Sequence, residues 1–151
     1  MNYWLLKSEP AVFGLEDLAA EPGQTACWDG VRNYQARNFL RQMRCGDQAL
    51  FYHSNTQPPG VVGIVEIVRE GYPDPTALDP HDPHYDSRSD PAAPRWFMVD
   101  VRLQRRLARC ITLAELKACP ALAELPLVRR GNRLSVMPVT PDQWVAILAL
   151  E

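Results

Sequence analysis

The chain has 151 residues, sixteen of them basic and eighteen acidic, and 46% are hydrophobic. That is enough for one domain with a sizeable core, and the near-neutral charge excludes a polycation that binds by overall charge alone. No apolar run is long enough to span a bilayer, and Met1–Lys7 lacks the basic start of a signal peptide, so a cytoplasmic protein (nucleoid included) with no membrane partner is expected.

Tyr3 to Lys7, aromatic and branched, reads as a strand that Ser8-Glu9-Pro10 stops. Phe13 to Ala20 reads as a short helix with Leu15 and Leu18 on one side, and Thr25 to Trp28 as a second strand. Gly30 and Asn33 turn the chain into a helix whose apolar positions, Ala36, Phe39, Leu40 and Met43, make one stripe. Gln48 to Ser54 and Gly60 to Val68 read as a hairpin around Asn55–Pro59, the second arm apolar at nearly every position and so covered on both faces. Within it, Gly63 marks a bulge or the close approach of another group. Gly71 to Pro94 is one long irregular segment with six of the fourteen prolines, and such loops are functional or flexible. Trp96 to Leu107 alternates as a half-buried antiparallel strand. Capping boxes open two more helices, at Thr112-Leu113-Ala114-Glu115 and at Thr140-Pro141-Asp142-Gln143, with a last strand, Leu134 to Val139, between them. Six strands with interleaved short helices imply an α+β fold, a small bent antiparallel sheet or barrel with helices outside.

Fourteen of the sixteen basic residues are arginine, and they cluster. Arg32, Arg37, Arg41 and Arg44 fall in a stretch without an acid, as do Arg102, Arg105, Arg106 and Arg109; Arg129, Arg130 and Arg133 form a third group. The acids gather at Asp74, Asp79, Asp82, Asp86 and Asp90. Such segregation can give a neutral protein a basic face, although scattered solvated arginines would produce the same pattern.

No nucleophile elbow, P-loop or zincin motif is present. The four cysteines have no C-x-x-C spacing and read as reduced thiols. His81-Asp82-Pro83-His84 carries metal-capable side chains, but prolines keep them off any regular face; neither metal nor cofactor is expected. His53 ends a strand and reads as structural. Lys7 and Glu9 could form an acid–base couple, with a surface ion pair the simpler reading. The most informative stretch is Trp28 to Asn38, which sets a tryptophan and a glycine turn before an arginine-bearing helix. Trp28 is either core or a stacking wall for a flat heterocycle; the helix start would add free amides, and arginines would answer phosphate. Ser54-Asn55 could read a base edge or simply begin a turn.

Tyr3–Pro10, Trp28–Asn38, Phe51–Asn55 and Arg133–Val139 together resemble the EVE domain, in order and over essentially the whole chain. The resemblance implies a single PUA-like domain over residues 1–151, a distorted antiparallel β-barrel flanked by short helices. It also implies kinship with YTH and SRA-type readers, which hold one modified base in an aromatic-walled pocket. By that likeness Trp28 is one wall, and Trp96, or a residue of the loop before it, another. Lys7, Ser8 and Ser54, beside Asn55, line the floor and edge, and Arg32 and Asn33 approach from the helix start. Arg37, Arg129, Arg130 and Arg133 would hold flanking phosphates. The implied function is non-enzymatic binding of a modified base in DNA or RNA, or of a nucleotide, with an effector enzyme as a further partner. Two alternatives stand beside it: a small amidohydrolase of acylated nucleosides using Lys7 and Glu9, and a protein-interaction domain with a vestigial pocket.

Overall fold

The computed structural model describes residues 1–151. Its elements in chain order are β1 (Tyr3–Ser8), α1 (Pro10–Phe13), α2 (Leu15–Ala20), β2 (Thr25–Trp28), α3 (Tyr34–Gln42), β3 (Gln48–His53), β4 (Gly60–Pro73), β5 (Phe97–Thr112), α4 (Leu113–Ala118), β6 (Val136–Val139) and α5 (Pro141–Leu148), with four short 3₁₀ turns between them. No helix is long and apolar enough to cross a membrane.

The six strands form one sheet in the order β2-β5-β4-β3-β1-β6. This corrects the expected antiparallel barrel on two counts. The sheet is open, because β2 and β6 each pair on one side only, and it is mixed, because β1 runs parallel to β3. The physical reason lies in the connection: residues 9–47 carry α1, α2, β2 and α3 between β1 and β3, and a crossover of that length allows a parallel pair. The two end strands have only four residues each, too few to zip the sheet shut. The long β4–β5 pair shifts register four times and β3–β4 once. Each irregularity bends the ladder and increases its twist.

Both faces of the sheet are apolar because both are covered. In β1, Trp4 and Leu6 join one core with Phe51, Val65 and the α3 residues Ala36 and Leu40. Leu5, on the opposite face, joins a second core with Leu50, Ile111 and the α5 residues Trp144 and Ile147. Each fully buried large aliphatic or aromatic side chain contributes about 1.5–3 kcal/mol. At Gly63 both sequence readings hold, since the register shifts there and a Cβ would lie 2.9 Å from a Leu15 methyl. Beside the first core, the buried carboxylate of Asp47 accepts from Asn2 N, Trp4 Nε1 and Arg44 N, each at 3.0 Å.

The long segment after β4 is built by its acids. Asp74, Asp79, Asp82, Asp86 and Asp90 each accept the backbone N–H two residues on, at 2.8–3.0 Å. Five successive Asx-turns fold a segment whose only regular pieces are the 3₁₀ turn Pro75–Leu78 and one bridge between Asp90 and Ala93. Trp96 closes it, its indole N–H donating to Asp86 at 2.7 Å and its ring stacked on Tyr34 at 4.8 Å. The acidic cluster is thus committed to holding this loop and, through Asp74, to docking it on Gly30 and Arg32.

Candidate nucleic-acid interface

The two ends of the open sheet meet at one cleft of about 650 Å³. From one end come Ala26, Cys27 and Trp28 of β2; from the other come Lys7 and Ser8 of β1 with Ser135, one residue before β6. Only a strongly curled sheet brings its first and last members to a common cavity, so the seam left unclosed is the cleft itself.

Trp28 forms the inner wall. Its indole packs edge-to-face on Phe51 (5.3 Å) and Phe13 (6.5 Å) and stays 7% exposed. The ring is therefore both core and wall: it offers the cleft a strip rather than a free platform. The second aromatic lining the cleft is Phe13. Lys7 is half-buried, and loss of solvation lowers the pKa of its ammonium. Ser8 spends its hydroxyl hydrogen on the Phe13 carbonyl at 2.7 Å, fixing α1 over the end of β1. Glu9, also on the cleft, accepts from Asn55 at 3.2 Å rather than from Lys7, so the Lys7–Glu9 ion pair is not formed.

Arg32 lines the cleft but its guanidinium is occupied. It pairs with the buried carboxylate of Asp74 at 3.0 Å and donates to the Thr76 hydroxyl and the His84 carbonyl. Burial would raise the Asp74 carboxyl, but hydrogen bonds from Thr76, Gly30 and Arg32 outweigh it and hold it below its usual range. Arg32 thereby clamps the long loop onto the Gly30 turn and delivers His84 into the cleft. The His84 ring lies against Gly30, which has φ +77°; a Cβ there would sit 2.7 Å from the imidazole. Sequence reasoning missed His84 as a cleft residue, although a residue of the loop before Trp96 was among the expected walls. The sequence holds only one trace of it, the acid–arginine complementarity of Asp74 and Arg32, which is long-range.

The other residues singled out lie elsewhere. Trp96 does not reach the cleft; it is 6% exposed beneath Tyr34 and Arg32. Asn33 spends its side chain capping α3 through Ala36 N at 2.9 Å, and Gly30 N is taken by Asp74, so neither the Ala36 nor the Gly30 amide is free for a ligand. Ser54 and Asn55 stand outside the cleft, where Ser54 N donates to the Ser8 carbonyl and Asn55 makes a turn with φ +52°. His53 is structural, its Nε2 accepting Leu15 N at 3.1 Å. Arg37 lies over the exposed Tyr34 ring and donates to the Arg95 carbonyl. The second arginine cluster is neutralised: Arg102, Arg105, Arg106 and Arg109 pair with Glu66, Glu151, Glu16 and Glu115 at 2.6–3.1 Å. In the third cluster Arg129 sits 3.6 Å from Glu124, while the exposed Arg130 and Arg133 have no ion partner, on the loop that runs into Ser135.

The cleft is therefore not basic. Glu9, Glu21 and Asp29 face Lys7 and an Arg32 already paired. A phosphate would be repelled from such a space; a neutral heterocycle with hydrogen-bond donors would not.

The EVE domain family model matches residues 2–150. The chain belongs to the EVE-domain family. This EVE domain is 49% identical to mouse thymocyte nuclear protein 1 over 99% of its own length and 74% of that protein. A solved structure from Pseudomonas putida is similar to it at TM-score 0.95 and 52% identity, covering 98% of each chain. Human THYN1, solved in complex with 5-methylcytosine-containing DNA, is similar at TM-score 0.95 and 46% identity, covering 99% of this chain and 97% of that one. The YTH domain of a Zygosaccharomyces rouxii protein shares the fold at TM-score 0.56 and 17% identity.

Proposed function

We propose that this EVE domain binds DNA carrying a modified cytosine, with the modified base entering the seam between β2 and β1. The observation that carries the reading is the human relative's complex with 5-methylcytosine-containing DNA, at 46% identity and TM-score 0.95 over nearly the full chain. The cleft supports it physically. Its volume is ample for a nucleobase, Trp28 and Phe13 give apolar contact for a methyl group, and its acids favour a base over a phosphate. Extruding a base from a duplex costs a few kcal/mol, which contacts outside the cleft must offset. Arg130 and Arg133, exposed and without ion partners on the loop that runs into Ser135, are the side chains for flanking phosphates. Arg32 holds the Asp74 loop in place and keeps the pocket assembled.

Burying one methyl is worth about 0.8 kcal/mol, roughly a fourfold preference over unmodified cytosine. The test is a fluorescence-anisotropy titration of matched duplexes with one central 5-methylcytosine or cytosine, at two salt concentrations. The proposal expects salt-dependent binding with the methylated duplex tighter by about fourfold or more. Equal affinity for both duplexes would refute it.

A further inference from the structure

A pocket that merely welcomes a 5-methyl group faces a competitor in every DNA: thymine carries the same methyl. The two bases differ at position 4, where cytosine presents an amine and thymine a carbonyl, and at N3, an acceptor in cytosine and a donor in thymine. Apolar walls such as Trp28 and Phe13 cannot separate them. Discrimination requires an acceptor placed against position 4, because a site built around a hydrogen bond rejects the analogue that cannot make it.

The cleft holds one acid suited to that role. Asp29 directly follows the Trp28 wall and lines the cavity. Of the other two acids there, Glu9 is engaged by Asn55, and Glu21 lies beyond β2's first residue, at the opposite end of that strand from Trp28. Asp29 takes no hydrogen bond from any residue but itself. Burial, and then the nearby Asp74 charge, raise its carboxyl above the usual range. It is thus a partly desolvated carboxylate with no protein donor, in a cleft where it also repels phosphate. Lys7, on β1, also lines the cleft, but its ammonium lies over the Tyr52 ring, 5.9 Å from the centroid.

Resting on the proposed reading of this site, we infer that Asp29 is the residue that distinguishes 5-methylcytosine from thymine, by accepting a hydrogen bond from the exocyclic amine of the extruded base. Thymine in the same pose sets its carbonyl against the carboxylate, and that contact is repulsive.

The test compares oligonucleotide duplexes that differ only in one central base, 5-methylcytosine, cytosine or thymine, each opposite an abasic site so that pairing strength does not differ. Affinities are measured for the unsubstituted protein, Asp29→Asn and Asp29→Ala, with thermal melts to confirm folding. The side chain is exposed, so both variants should fold. The unsubstituted protein should prefer 5-methylcytosine over thymine by at least about tenfold. Asp29→Asn, whose amide can turn its NH₂ toward a carbonyl, should reduce that ratio by about tenfold while leaving the 5-methylcytosine-to-cytosine ratio within about twofold. If both folded variants keep the original preference over thymine, the inference falls and the reading of the cleft stands. Equal binding of all three duplexes by the unsubstituted protein overturns both.

Discussion

Gly30 is where fold and cleft meet, and its replacement by alanine can be worked through in some detail. The residue has φ +77°, and a Cβ would lie 2.7 Å from the His84 imidazole. Two separable costs follow. The left-handed backbone penalises any side chain by about 1–2 kcal/mol, whatever surrounds it. The overlap adds a second cost of about 1 kcal/mol, because the ring must swing away or the backbone must shift. His84 is not free to drift: its carbonyl is held by Arg32 and its amide by Asp82 at 2.8 Å, so the ring alone must move. Gly30→Ala should therefore cost about 2–3 kcal/mol, and the same change in a His84→Ala background only the backbone share. Urea denaturation of the four proteins closes the cycle. A coupling of about 1 kcal/mol is expected between the two sites, and strict additivity, within about 0.3 kcal/mol, would show that the ring does not rest on Gly30.

Asp47→Ala strands three donors, one of them the buried Trp4 indole; stability should fall by about 3 kcal/mol or more, read by urea denaturation, with Asp47→Asn intermediate. Stability should also fall on acidification. The His53 imidazole is held below its ordinary value by burial and accepts Leu15 N, whereas in the unfolded chain it binds a proton near pH 6.5. The unfolded state then holds more protons, so the contribution is complete above about pH 6.5 and is lost as the pH falls through the lowered folded value. Asp47 and Asp74, both depressed, add their loss below about pH 4. Denaturation curves at pH 7.5, 6 and 5 check this, and His53→Gln should flatten the upper part. Arg130→Ala and Arg133→Ala should each lower the slope of log affinity for DNA against log salt by about one, with little change in preference between bases.

Much of this fold is legible in the chain because the signals are local. The α3 stripe, the two capping boxes and the alternation in β5 depend on neighbours within a turn or two, and the elements lie where those signals set them. Strand order is different. Nothing in β1 records that it lies parallel to β3 rather than beside a hairpin partner, and nothing in the four-residue β2 says that it ends the sheet instead of closing it. The site divides the same way. Trp28, Lys7 and Ser8 stand out by residue type and do meet in one cleft. Trp96 stands out equally but is drawn away by Asp86 and Tyr34, and Asn33 by its own helix. His84 enters only through Asp74 and Arg32, a contact spanning more than forty residues. The arginine runs mislead for a related reason: Arg102, Arg105 and Arg106 find glutamates from three distant parts of the chain, which a linear charge pattern cannot register, and only Arg109 pairs locally, with Glu115.

The central claim is that the modified base lodges at the unclosed seam of the sheet, against Trp28 and Phe13. The most direct measurement is NMR of a duplex whose single 5-methylcytosine carries a ¹³C-labelled methyl, titrated with the protein. The account expects the methyl resonance to move upfield by the ring current of Trp28 and to show cross-peaks to the aromatic protons of Trp28 and Phe13. A methyl resonance that keeps its free-duplex position while the DNA is saturated with protein would contradict it.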